Sequence, residues 1–200
     1  MPESILQNIF GYTTFRPLQR DIINHTLDHK HSIVLMPTGG GKSLCYQIPA
    51  LTNKGCSIVI SPLISLMQDQ VLNLQQLGIN AKVFNSSQSQ QERYNVMKQF
   101  YEEQLSLLYV SPEQLLMDGF LESLSQIKIN LFAIDEAHCI SEWGHDFRPS
   151  YRELKQIKAI FPETPIMALT ATATQKVLHD IKQQLNIPKA TCFQGSFDRP

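Results

Sequence analysis

Seven short apolar runs recur along the chain, and longer segments with helical spacing alternate with them. Runs of this near-continuous apolar character are typical of strands buried on both faces, as in a parallel sheet covered by helices. Repeated alternation of strand and helix therefore predicts a doubly wound α/β domain, with a mostly parallel sheet and helices on both of its faces. The predicted strands are Ser32–Met36, Ser57–Ile60, Ala81–Phe84, Leu107–Val110, Leu131–Ile134, Ile166–Leu169 and Thr191–Phe193. The predicted helices are Lys42–Leu51, Leu63–Leu77, Gln90–Tyr101, Tyr151–Phe161 and Gln175–Leu185.

The length and composition fit one globular domain. The chain has 200 residues, of which 42% are hydrophobic and 18% are charged, and these values differ from those of disordered or fibrous proteins. No apolar run approaches the roughly 20 residues that cross a bilayer. The first residues lack the basic start and small-residue cleavage site of a secretory signal. We therefore expect a cytoplasmic protein that has no membrane partner.

Charge and cysteine usage narrow the classes of partner. A net charge of −1 gives no bulk electrostatic attraction for nucleic acid, so any DNA must be bound by local sites. The four cysteines are widely spread and include no C-x-x-C pair. This spacing argues against a zinc site and favours reduced, mostly buried thiols. The cysteines are Cys45, Cys56, Cys139 and Cys192.

Serine and threonine residues follow several of the predicted strands. Ser61 and Ser111 each precede a proline, which predicts a helix N-cap with proline at the first helical position. Ser111 and Thr172 each have a glutamine three residues later, which matches the capping-box pattern. Helices that begin at the carboxyl ends of parallel strands point free N–H groups at the ligand-binding edge of the sheet, and these groups favour phosphates. All α/β proteins cap helices in this way, so the caps alone leave a purely structural role open.

The segment MPTGGGKS lies between the first predicted strand and the helix that follows it. Consecutive glycines allow the backbone to approach phosphate oxygens and to point its N–H groups at them. Lys42 is expected to reach the β- and γ-phosphates of a nucleotide, and the hydroxyl of Ser43 is expected to bind Mg²⁺. The general pattern G-x-x-x-x-G-K-[ST] is not met, because Met36 occupies the position of its first glycine. The predicted ATP-binding loop consists of Met36, Pro37, Thr38, Gly39, Gly40, Gly41, Lys42 and Ser43.

An acidic pair, Asp135 and Glu136, follows another apolar strand. A site that hydrolyses nucleotides needs an acidic residue at such a strand end to hold the metal ion. We predict that Asp135 holds Mg²⁺ through water, that Glu136 orients and deprotonates the attacking water, and that Lys42 completes the catalytic set. An isolated Asp-Glu pair also fits a solvated turn. Its combination with the glycine-rich loop is what indicates ATP hydrolysis.

Residues 135–138 read Asp-Glu-Ala-His, which is the box of superfamily-two helicases, and the wider set of motifs resembles the RecQ family of DNA helicases. The family's version of the phosphate loop includes the Met36 that breaks the general pattern. The resemblance implies the RecA-like fold of P-loop NTPases. The motifs follow in the family's order as FGYTTFRPLQ at 10–19, MPTGGGKSLCYQIPA at 36–50, SPLISLMQDQ at 61–70, YVSPEQL at 109–115 and LTATAT at 169–174.

The first of these motifs resembles the adenine-recognition segment of the RecQ family. By this resemblance Tyr12 stacks on the base, Arg16 contacts the nucleotide and Gln19 hydrogen-bonds the adenine edge. The resemblance also divides the chain into an adenine-recognition segment at 1–30 and an α/β core at 31–195. Residues 196–200 would start a linker to a second motor domain.

The stretch CISEWGHDFRPSY at 139–151 directly follows the box and contains the only tryptophan of the chain. Aromatic rings can stack on unpaired bases, and a guanidinium can pair with phosphate. Composition alone favours an aromatic cluster packed beneath a loop, but RecQ helicases have an aromatic-rich loop here that couples DNA binding to hydrolysis. Glu142 departs from many members of the family, which have Gln, and its role stays open. The resemblance assigns DNA binding or coupling to Trp143, His145, Phe147 and Arg148.

Further positions take their roles from the resemblance alone. Ser61 and Ser111 would lie against the phosphates of one DNA strand. Thr170 and Thr172 would link the ATP site to the DNA site. His138 would contact the partner domain, although buried structural roles stay open for both His138 and His145.

The motifs together predict the first motor domain of an ATP-dependent, 3′-to-5′ DNA helicase of the RecQ type that acts in repair and recombination. ATP and Mg²⁺ are the expected cofactors. Single-stranded, forked or duplex DNA and a second RecA-like domain of the same protein are the expected partners. The isolated chain is expected to be a nearly inactive monomer, and the protein is expected to associate with DNA in a nucleoid or nucleus.

Two alternatives stay open at this point. One is an RNA helicase or duplex translocase that shares the same core. The other is an ATP-gated nucleic-acid-binding module without turnover. Glu136 argues against the module, because a protein that only binds nucleotide needs no second carboxylate beside the metal ligand.

Overall fold

A seven-stranded sheet forms the centre of the molecule. The computed structural model describes residues 1–39 and 41–195, so Gly40 of the predicted loop and the linker predicted at 196–200 lie outside the described residues. All strand pairs of the sheet are parallel, and the strands lie in the order β3-β4-β2-β5-β6-β1-β7. The strands are β1 (Ser32–Leu35), β2 (Cys56–Ile60), β3 (Ala81–Phe84), β4 (Leu107–Val110), β5 (Ile129–Ile134), β6 (Ile166–Thr170) and β7 (Thr191–Gln194).

The described residues also form ten α-helices, several of them only one turn long. They are α1 (Pro2–Asn8), α2 (Gln19–Leu27), α3 (Lys42–Thr52), α4 (Ile64–Gln76), α5 (Gln90–Tyr101), α6 (Pro112–Leu115), α7 (Phe120–Ser123), α8 (Pro149–Arg152), α9 (Gln156–Ile160) and α10 (Gln175–Gln184). Short 3₁₀ turns occupy Leu124–Gln126, Ala137–Ile140 and Glu153–Lys155. No helix of the described part of the chain combines the length and the apolar character that a membrane span requires.

Both faces of the sheet are covered by helices. Successive residues of a strand point to opposite faces, so Ile33 and Leu35 of β1 join one apolar core while Val34 joins the other. The first core includes side chains of α5 and α10, and the second includes side chains of α2, α3 and α4. This double burial explains why the strands read as continuous apolar runs rather than as an alternating pattern. The predicted doubly wound α/β fold is confirmed, and the sheet is entirely parallel in the described residues.

The predicted helix Tyr151–Phe161 is not continuous. The chain forms the single-turn helix α8, a 3₁₀ turn at Glu153–Lys155 and then the short helix α9. The sequence also gave no indication of α1 and α2, between which the predicted adenine-recognition motif lies. The other predicted helices match the observed bounds to within a residue or so.

The predicted helix caps are only partly correct. Ser111 caps α6 and accepts a hydrogen bond from the Gln114 N–H over 3.2 Å, as expected. Ser61 does not cap a helix, because α4 begins three residues later at Ile64 and the Ser61 hydroxyl accepts instead from the Leu63 N–H over 3.3 Å. The cap expected at Thr172 is wrong as well. Thr174 caps α10 in its place.

Candidate functional site

The predicted phosphate loop connects the end of β1 to the start of α3 and adopts a conformation that requires glycine. Gly39 has φ +81° and Gly41 has φ +80°, both in the left-handed region. A Cβ atom at Gly41 would lie 2.3 Å from the Nε2 atom of Gln19, so both backbone conformation and space exclude a side chain there. The absence of a side chain at Gly41 therefore lets the Gln19 amide lie directly against the backbone of the loop.

Lys42 begins α3 and extends back along the loop. Its Nζ atom donates a hydrogen bond to the Met36 carbonyl oxygen over 3.0 Å, and the Pro37 carbonyl oxygen lies 3.5 Å away. These contacts hold the ammonium group inside the curve of the loop. A phosphate bound there would meet a positive charge that is already in place.

The residues predicted to bind phosphate, bind metal and activate water line a single cavity. This cavity has a volume of about 350 Å³, and it is lined both by residues of the loop and by the two carboxylate residues. Its predicted members are Arg16, Thr38, Gly39, Gly41, Lys42, Ser43, Asp135 and Glu136. The structure thus brings together groups from the loop after β1, from the start of α3 and from the residues that directly follow β5.

The adenine-recognition motif is attached to the loop through Gln19. The side chain of Gln19 is buried, and its Nε2 atom donates to the Gly41 carbonyl oxygen over 3.0 Å. Its Oε1 atom accepts from the backbone N–H of Arg16 over 2.8 Å. The Arg16 guanidinium in turn donates to the Gly39 carbonyl oxygen. The motif and the loop therefore form one continuous wall.

A second cavity, of about 330 Å³, adjoins the first and shares Arg16 and Gly41 with it. Its lining is mostly apolar and includes Phe10, while Tyr12 lies at its edge with 53% of its surface exposed. An apolar cavity with a few polar groups suits a nucleotide base. Gln19 lines this cavity, and its two contacts described above use one amide hydrogen and one lone pair of the side chain.

The acidic pair lies at the carboxyl end of β5. The Asp135 N–H extends the sheet by donating to the Ile60 carbonyl oxygen over 2.8 Å, and one carboxylate oxygen of Asp135 accepts from the Glu136 N–H over 2.9 Å. The Tyr151 hydroxyl donates to the Asp135 carbonyl oxygen over 2.8 Å. Glu136 has φ +52°, an unusual conformation for a residue other than glycine, which turns the chain sharply after the strand.

The environment of Asp135 favours a bound cation. Burial raises the pKa of the Asp135 carboxyl to about 6, and the neighbouring charge of Glu136 adds to this effect. A divalent cation between Asp135 and the Ser43 hydroxyl would offset the cost of holding this carboxylate charged. Carboxylate and hydroxyl oxygens are ligands that Mg²⁺ accepts, so the residues present fit the predicted metal.

His138 connects the acidic pair to the end of β6. Its Nδ1 atom lies 2.7 Å from the Thr170 hydroxyl oxygen and 3.5 Å from a carboxylate oxygen of Glu136. The Thr170 hydroxyl donates to the Thr172 carbonyl oxygen over 3.1 Å. Burial lowers the pKa of the His138 imidazole, so the ring is neutral at pH 7. These contacts form a chain of polar groups from Glu136 to Thr172.

The same ring of His138 stacks on His145, with 4.5 Å between centroids. Only 5% of His138 is exposed, so its position favours a structural role within the domain. The contact with a partner domain that the resemblance suggested finds no support in this burial. His145 is exposed, but its ring packs on His138.

The aromatic loop that follows the box separates its rings. Trp143 is 63% exposed, whereas Phe147 packs beneath the Arg152 guanidinium at 5.3 Å. The Arg148 guanidinium lies 3.4 Å from the Asp146 carboxylate. The backbone N–H of Arg148 donates to the Cys139 carbonyl oxygen over 2.9 Å. The loop therefore presents the exposed Trp143 ring and one partly engaged guanidinium at its surface.

Two features of this loop were not foreseen. A carboxylate oxygen of Glu142 lies 3.9 Å from the Arg152 guanidinium. Glu142, which replaces the Gln of many family members, therefore has a structural partner. Possible ligand atoms of His138, Cys139 and Asp146 lie within 4.8 Å of one another. Burial and the charge of Asp146 raise the pKa of the Cys139 thiol to about 12, so this cysteine stays protonated, as expected for a buried thiol.

A model of the DEAD/DEAH box helicase family matches residues 16–181. The chain belongs to the DEAD/DEAH box helicase family. It is 52% identical over 197 residues to a protein of Haemophilus influenzae named ATP-dependent DNA helicase RecQ, an alignment that covers 98% of this chain and 32% of that relative. A protein of the same name from Pasteurella multocida is 52% identical over 196 residues and is covered to 31% of its length. The predicted resemblance to RecQ helicases is confirmed.

Solved structures agree with this family at the level of the fold. The crystal structure of a hypothetical ATP-dependent RNA helicase from Sulfolobus tokodaii superposes with a TM-score of 0.71 over 96% of this chain and 57% of that one, at 21% identity. This likeness supports the RecA-like helicase fold alone. The chain spans about a third of the length of the curated relatives it matches.

Within this helicase domain, the two serines predicted to meet DNA differ in exposure. Ser111 lies half-buried at the carboxyl end of β4, where it caps α6. Ser61 is only 3% exposed at the end of β2, and this burial argues against a direct contact between its hydroxyl and a phosphate. Thr172 is exposed, whereas Thr170 is buried against His138.

Sequence reasoning missed one polar pair beside the nucleotide site. The Tyr46 hydroxyl of α3 donates to the Gln70 side chain of α4 over 2.8 Å, and Gln70 lines both cavities. Gln70 is the last residue of the SPLISLMQDQ motif, so its place in that motif was the available signal. The pair fixes α4 against the helix that carries Lys42.

Proposed function

We propose that this chain is the ATP-hydrolysing motor domain of a RecQ-type DNA helicase. It would couple hydrolysis to 3′-to-5′ movement along single-stranded DNA, and so to unwinding in repair and recombination. The observation that carries the proposal is the convergence of Lys42, Ser43, Asp135 and Glu136 on one cavity, beside a second cavity that suits a base. The names of the relatives from Haemophilus influenzae and Pasteurella multocida support DNA as the substrate. The direction of movement rests on the resemblance.

The residues of the site divide the work of binding ATP. Tyr12 and Gln19 hold the adenine, while the backbone N–H groups of the loop hold the phosphates. Lys42 exchanges its carbonyl partners for the β- and γ-phosphate oxygens, where its charge stabilises the transition state. Bound Mg²⁺, held by Ser43 and Asp135, would neutralise charge on the phosphates. Glu136 orients the attacking water and accepts its proton.

DNA binding affects the hydrolytic site through residues that directly follow the Asp-Glu-Ala-His box. Trp143, Phe147 and Arg148 belong to the loop that follows Glu136 in the chain. Trp143 lies fewer than ten residues after Glu136. The polar contacts of Glu136, His138 and Thr170 give a second physical connection, to the exposed segment around Thr172. A base that stacks on the loop can thereby shift the hydrolytic carboxylate.

The partners of the whole protein follow from the same proposal. They are single-stranded, forked or duplex DNA and a second RecA-like domain of the same protein. We further propose that the protein works in the cytoplasm in association with DNA, in a nucleoid or nucleus according to the organism. The isolated chain would be a monomer with little activity.

Two variants test the nucleotide site. Lys42→Ala should abolish measurable ATP binding or turnover, because it removes the charge that meets the terminal phosphates, while circular dichroism stays unchanged. Glu136→Gln should retain ATP binding and lose turnover, because the phosphate contacts remain while the base is gone. Lys54→Ala, which changes an exposed lysine far from the loop, is the matched control. Normal hydrolysis in a folded Lys42→Ala variant would refute the phosphate-loop assignment.

The nature of the nucleic acid is tested by stimulation of hydrolysis. A longer protein that includes the second motor domain should be stimulated by single-stranded DNA and much less by RNA of the same sequence. Preferential stimulation by RNA would replace the proposal with an RNA helicase. Absence of any turnover above the Glu136→Gln variant would replace it with an ATP-gated binding module.

A further inference from the structure

Lys176 lies against the exposed ring of Trp143 in the aromatic loop. Its Nζ atom is 3.3 Å from the centroid of the Trp143 indole, well within the distance of about 6 Å at which a cation is attracted to an aromatic face. Lys176 is the second residue of α10 and is exposed. No carboxylate in residues 1–39 and 41–195 lies within ion-pair distance of Lys176. The indole face is therefore the principal partner of this ammonium group.

Helix α10 also holds the loop at a second point. The Arg152 guanidinium lies 3.9 Å from the Asp180 carboxylate of α10 and packs over the Phe147 ring. Lys176 and Asp180 are four residues apart, so both lie on the same face of α10. One face of the helix thus contacts the Trp143 ring directly and the Phe147 ring through Arg152.

The start of α10 is connected to the nucleotide site. Thr174 caps the helix by accepting from the Val177 N–H over 3.3 Å. Two residues before it, Thr172 bonds to Thr170, which contacts His138. Lys176 therefore lies where the segment that leads back to Glu136 meets the loop that carries Trp143.

We propose that Lys176 is a positioning residue for DNA, which covers one face of Trp143 in the free protein and moves to a DNA phosphate when a base stacks on that face. This inference rests on the proposed helicase function. The ammonium and a base cannot occupy the same face of the indole, because both need to approach it to within about 3.5 Å. A lysine has a long, flexible stem, and its ammonium group commonly binds phosphate as a point charge. The exchange transfers the cation to the strand whose base displaced it.

The first part of the test uses the fluorescence of Trp143, which is the only tryptophan of the chain. Lys176→Met keeps the length of the stem and removes the charge, Lys176→Arg keeps the cation, and Lys182→Met changes a lysine near the other end of α10. The positive charge beside the indole should make quenching by iodide stronger than quenching by caesium. Lys176→Met should lower the iodide-to-caesium quenching ratio, whereas Lys176→Arg and Lys182→Met should leave it unchanged. Equal ratios in all four proteins would overturn the contact itself.

The second part uses the protein that includes the second motor domain, and measures its binding of an unstructured single-stranded DNA oligonucleotide over a range of salt concentrations. The logarithm of the binding constant falls with the logarithm of salt concentration by about 0.7 for each phosphate contact with a single strand. Lys176→Met should therefore reduce this slope by about 0.7 and weaken binding several-fold at low salt. Lys176→Arg and Lys182→Met should retain the wild-type slope.

The outcomes separate this inference from the proposed function. A wild-type slope in Lys176→Met, with or without a change in affinity, would overturn the transfer of Lys176 to phosphate while DNA binding by the domain stands. Tighter binding by Lys176→Met would show that the lysine only blocks the ring, and would also overturn it. If the protein that includes the second motor domain bound no single-stranded DNA, the proposed function would fail, and the inference would fail with it.

Discussion

The Nε2 atom of Gln19 donates a hydrogen bond to the carbonyl oxygen of Gly41 over 3.0 Å. This contact joins the adenine-recognition motif to the phosphate loop. Because Gly41 has no side chain, the Gln19 amide can approach the loop backbone directly. Gln19 thus supports the loop and also lines the cavity that suits a base.

Replacement of Gln19 should therefore affect both affinity and specificity. Gln19→Ala leaves the partly buried Arg16 N–H and Gly41 carbonyl without their partner, and the loss is smaller than the roughly 1–3 kcal/mol that a fully buried unpaired polar group costs. We expect binding of both ATP and GTP to weaken roughly tenfold through the loop, and the preference for ATP to fall because only adenine loses a matched edge. A competition titration of ATP against GTP measures both effects.

The exposed residue Gln91 of α5 offers a matched control for that experiment. Gln91→Ala should retain wild-type affinity and preference. An unchanged ATP-to-GTP ratio in Gln19→Ala, together with weaker binding of both nucleotides, would limit Gln19 to its structural contact with Gly41. Such a result would refute the adenine assignment.

The pKa of Asp135 predicts how stability depends on pH. Its folded-state value of about 6 lies above the ordinary value of 3.8, so the protonated side chain favours the folded state. The stabilising contribution is complete below about pH 3.8 and is lost as the pH rises through about 6. Asp135→Asn cannot acquire the buried charge. In the absence of metal this variant should be more stable than the wild type at pH 8, by on the order of 2 kcal/mol.

Urea unfolding in EDTA at pH 8 and at pH 4.5 measures this difference. The advantage of Asp135→Asn should shrink strongly at the lower pH, where the wild-type carboxyl is already protonated. Asp118→Asn, at an exposed position, should show no such pattern. An Asp135→Asn variant that is less stable than the wild type at pH 8 would show that the carboxylate is not the buried, costly charge described here.

The aromatic loop should control how strongly DNA stimulates hydrolysis. In a protein that includes the second motor domain, Trp143→Ala removes the exposed ring, and Arg148→Ala removes a guanidinium that could pair with phosphate. Stacking contributes roughly 1–3 kcal/mol per base, so half-maximal stimulation should require about tenfold more DNA, or more. The measurement is the ratio of DNA-stimulated to basal turnover. Tyr101→Ala, which alters an exposed ring at the end of α5, should behave as the wild type. Equal stimulation in all of these proteins would show that the loop has only a structural role.

The sequence predicted the strands well because burial on both faces leaves a strong and simple signal. The observed bounds of β3 and β4 equal the predicted ones, and β1 differs only in ending at Leu35 rather than Met36. The residues at the ends of these strands were placed correctly for the same reason, since parallel strands bring their carboxyl ends to one edge. Asp135 and Lys42 therefore share a cavity although they are far apart in the chain.

The caps and the loop contacts could not be predicted in the same way. Ser-Pro after a strand is compatible with a helix that starts at once, as after Ser111, or with a turn that precedes the helix, as after Ser61. The contact of Lys176 with Trp143 joins side chains that are far apart in sequence. From the sequence alone, a lysine in the first turn of a helix is expected to be an ordinary solvated residue. Such pairs are determined by packing, which no local pattern encodes.

This chain alone should have little activity. Transfer of the γ-phosphoryl group spreads negative charge over its oxygens. Lys42 and Mg²⁺ together neutralise only part of this charge. In many phosphoryl-transfer sites a further arginine from a neighbouring domain raises the rate by roughly 10³–10⁵. Arg16 is the one arginine of the described residues that lines the nucleotide cavity, and its guanidinium is bonded to the Gly39 carbonyl oxygen.

The other arginines of the described part of the chain contact groups elsewhere. Arg20 pairs with Glu3, Arg93 donates to Gln114, Arg148 pairs with Asp146, and Arg152 lies between Glu142 and Asp180. The 200-residue chain should therefore bind Mg·ATP weakly, hydrolyse it slowly and separate no DNA strands. Unwinding also requires two domains that close on ATP and reopen after hydrolysis, so that they grip the strand alternately.

The test compares this chain with a longer protein that extends through the next domain, on the same forked DNA and at the same salt concentration. The longer protein should show DNA-stimulated turnover at least 10³-fold faster, on the order of the contribution of one added arginine, and should separate the strands. The Arg16→Ala variant of the longer protein distinguishes the two sources of positive charge, because it should weaken nucleotide binding while the arginine from the added domain still acts. Comparable DNA-stimulated turnover by the two chains, or any strand separation by the shorter one, would place the completing groups within residues 1–200 and would contradict the account of a half-site.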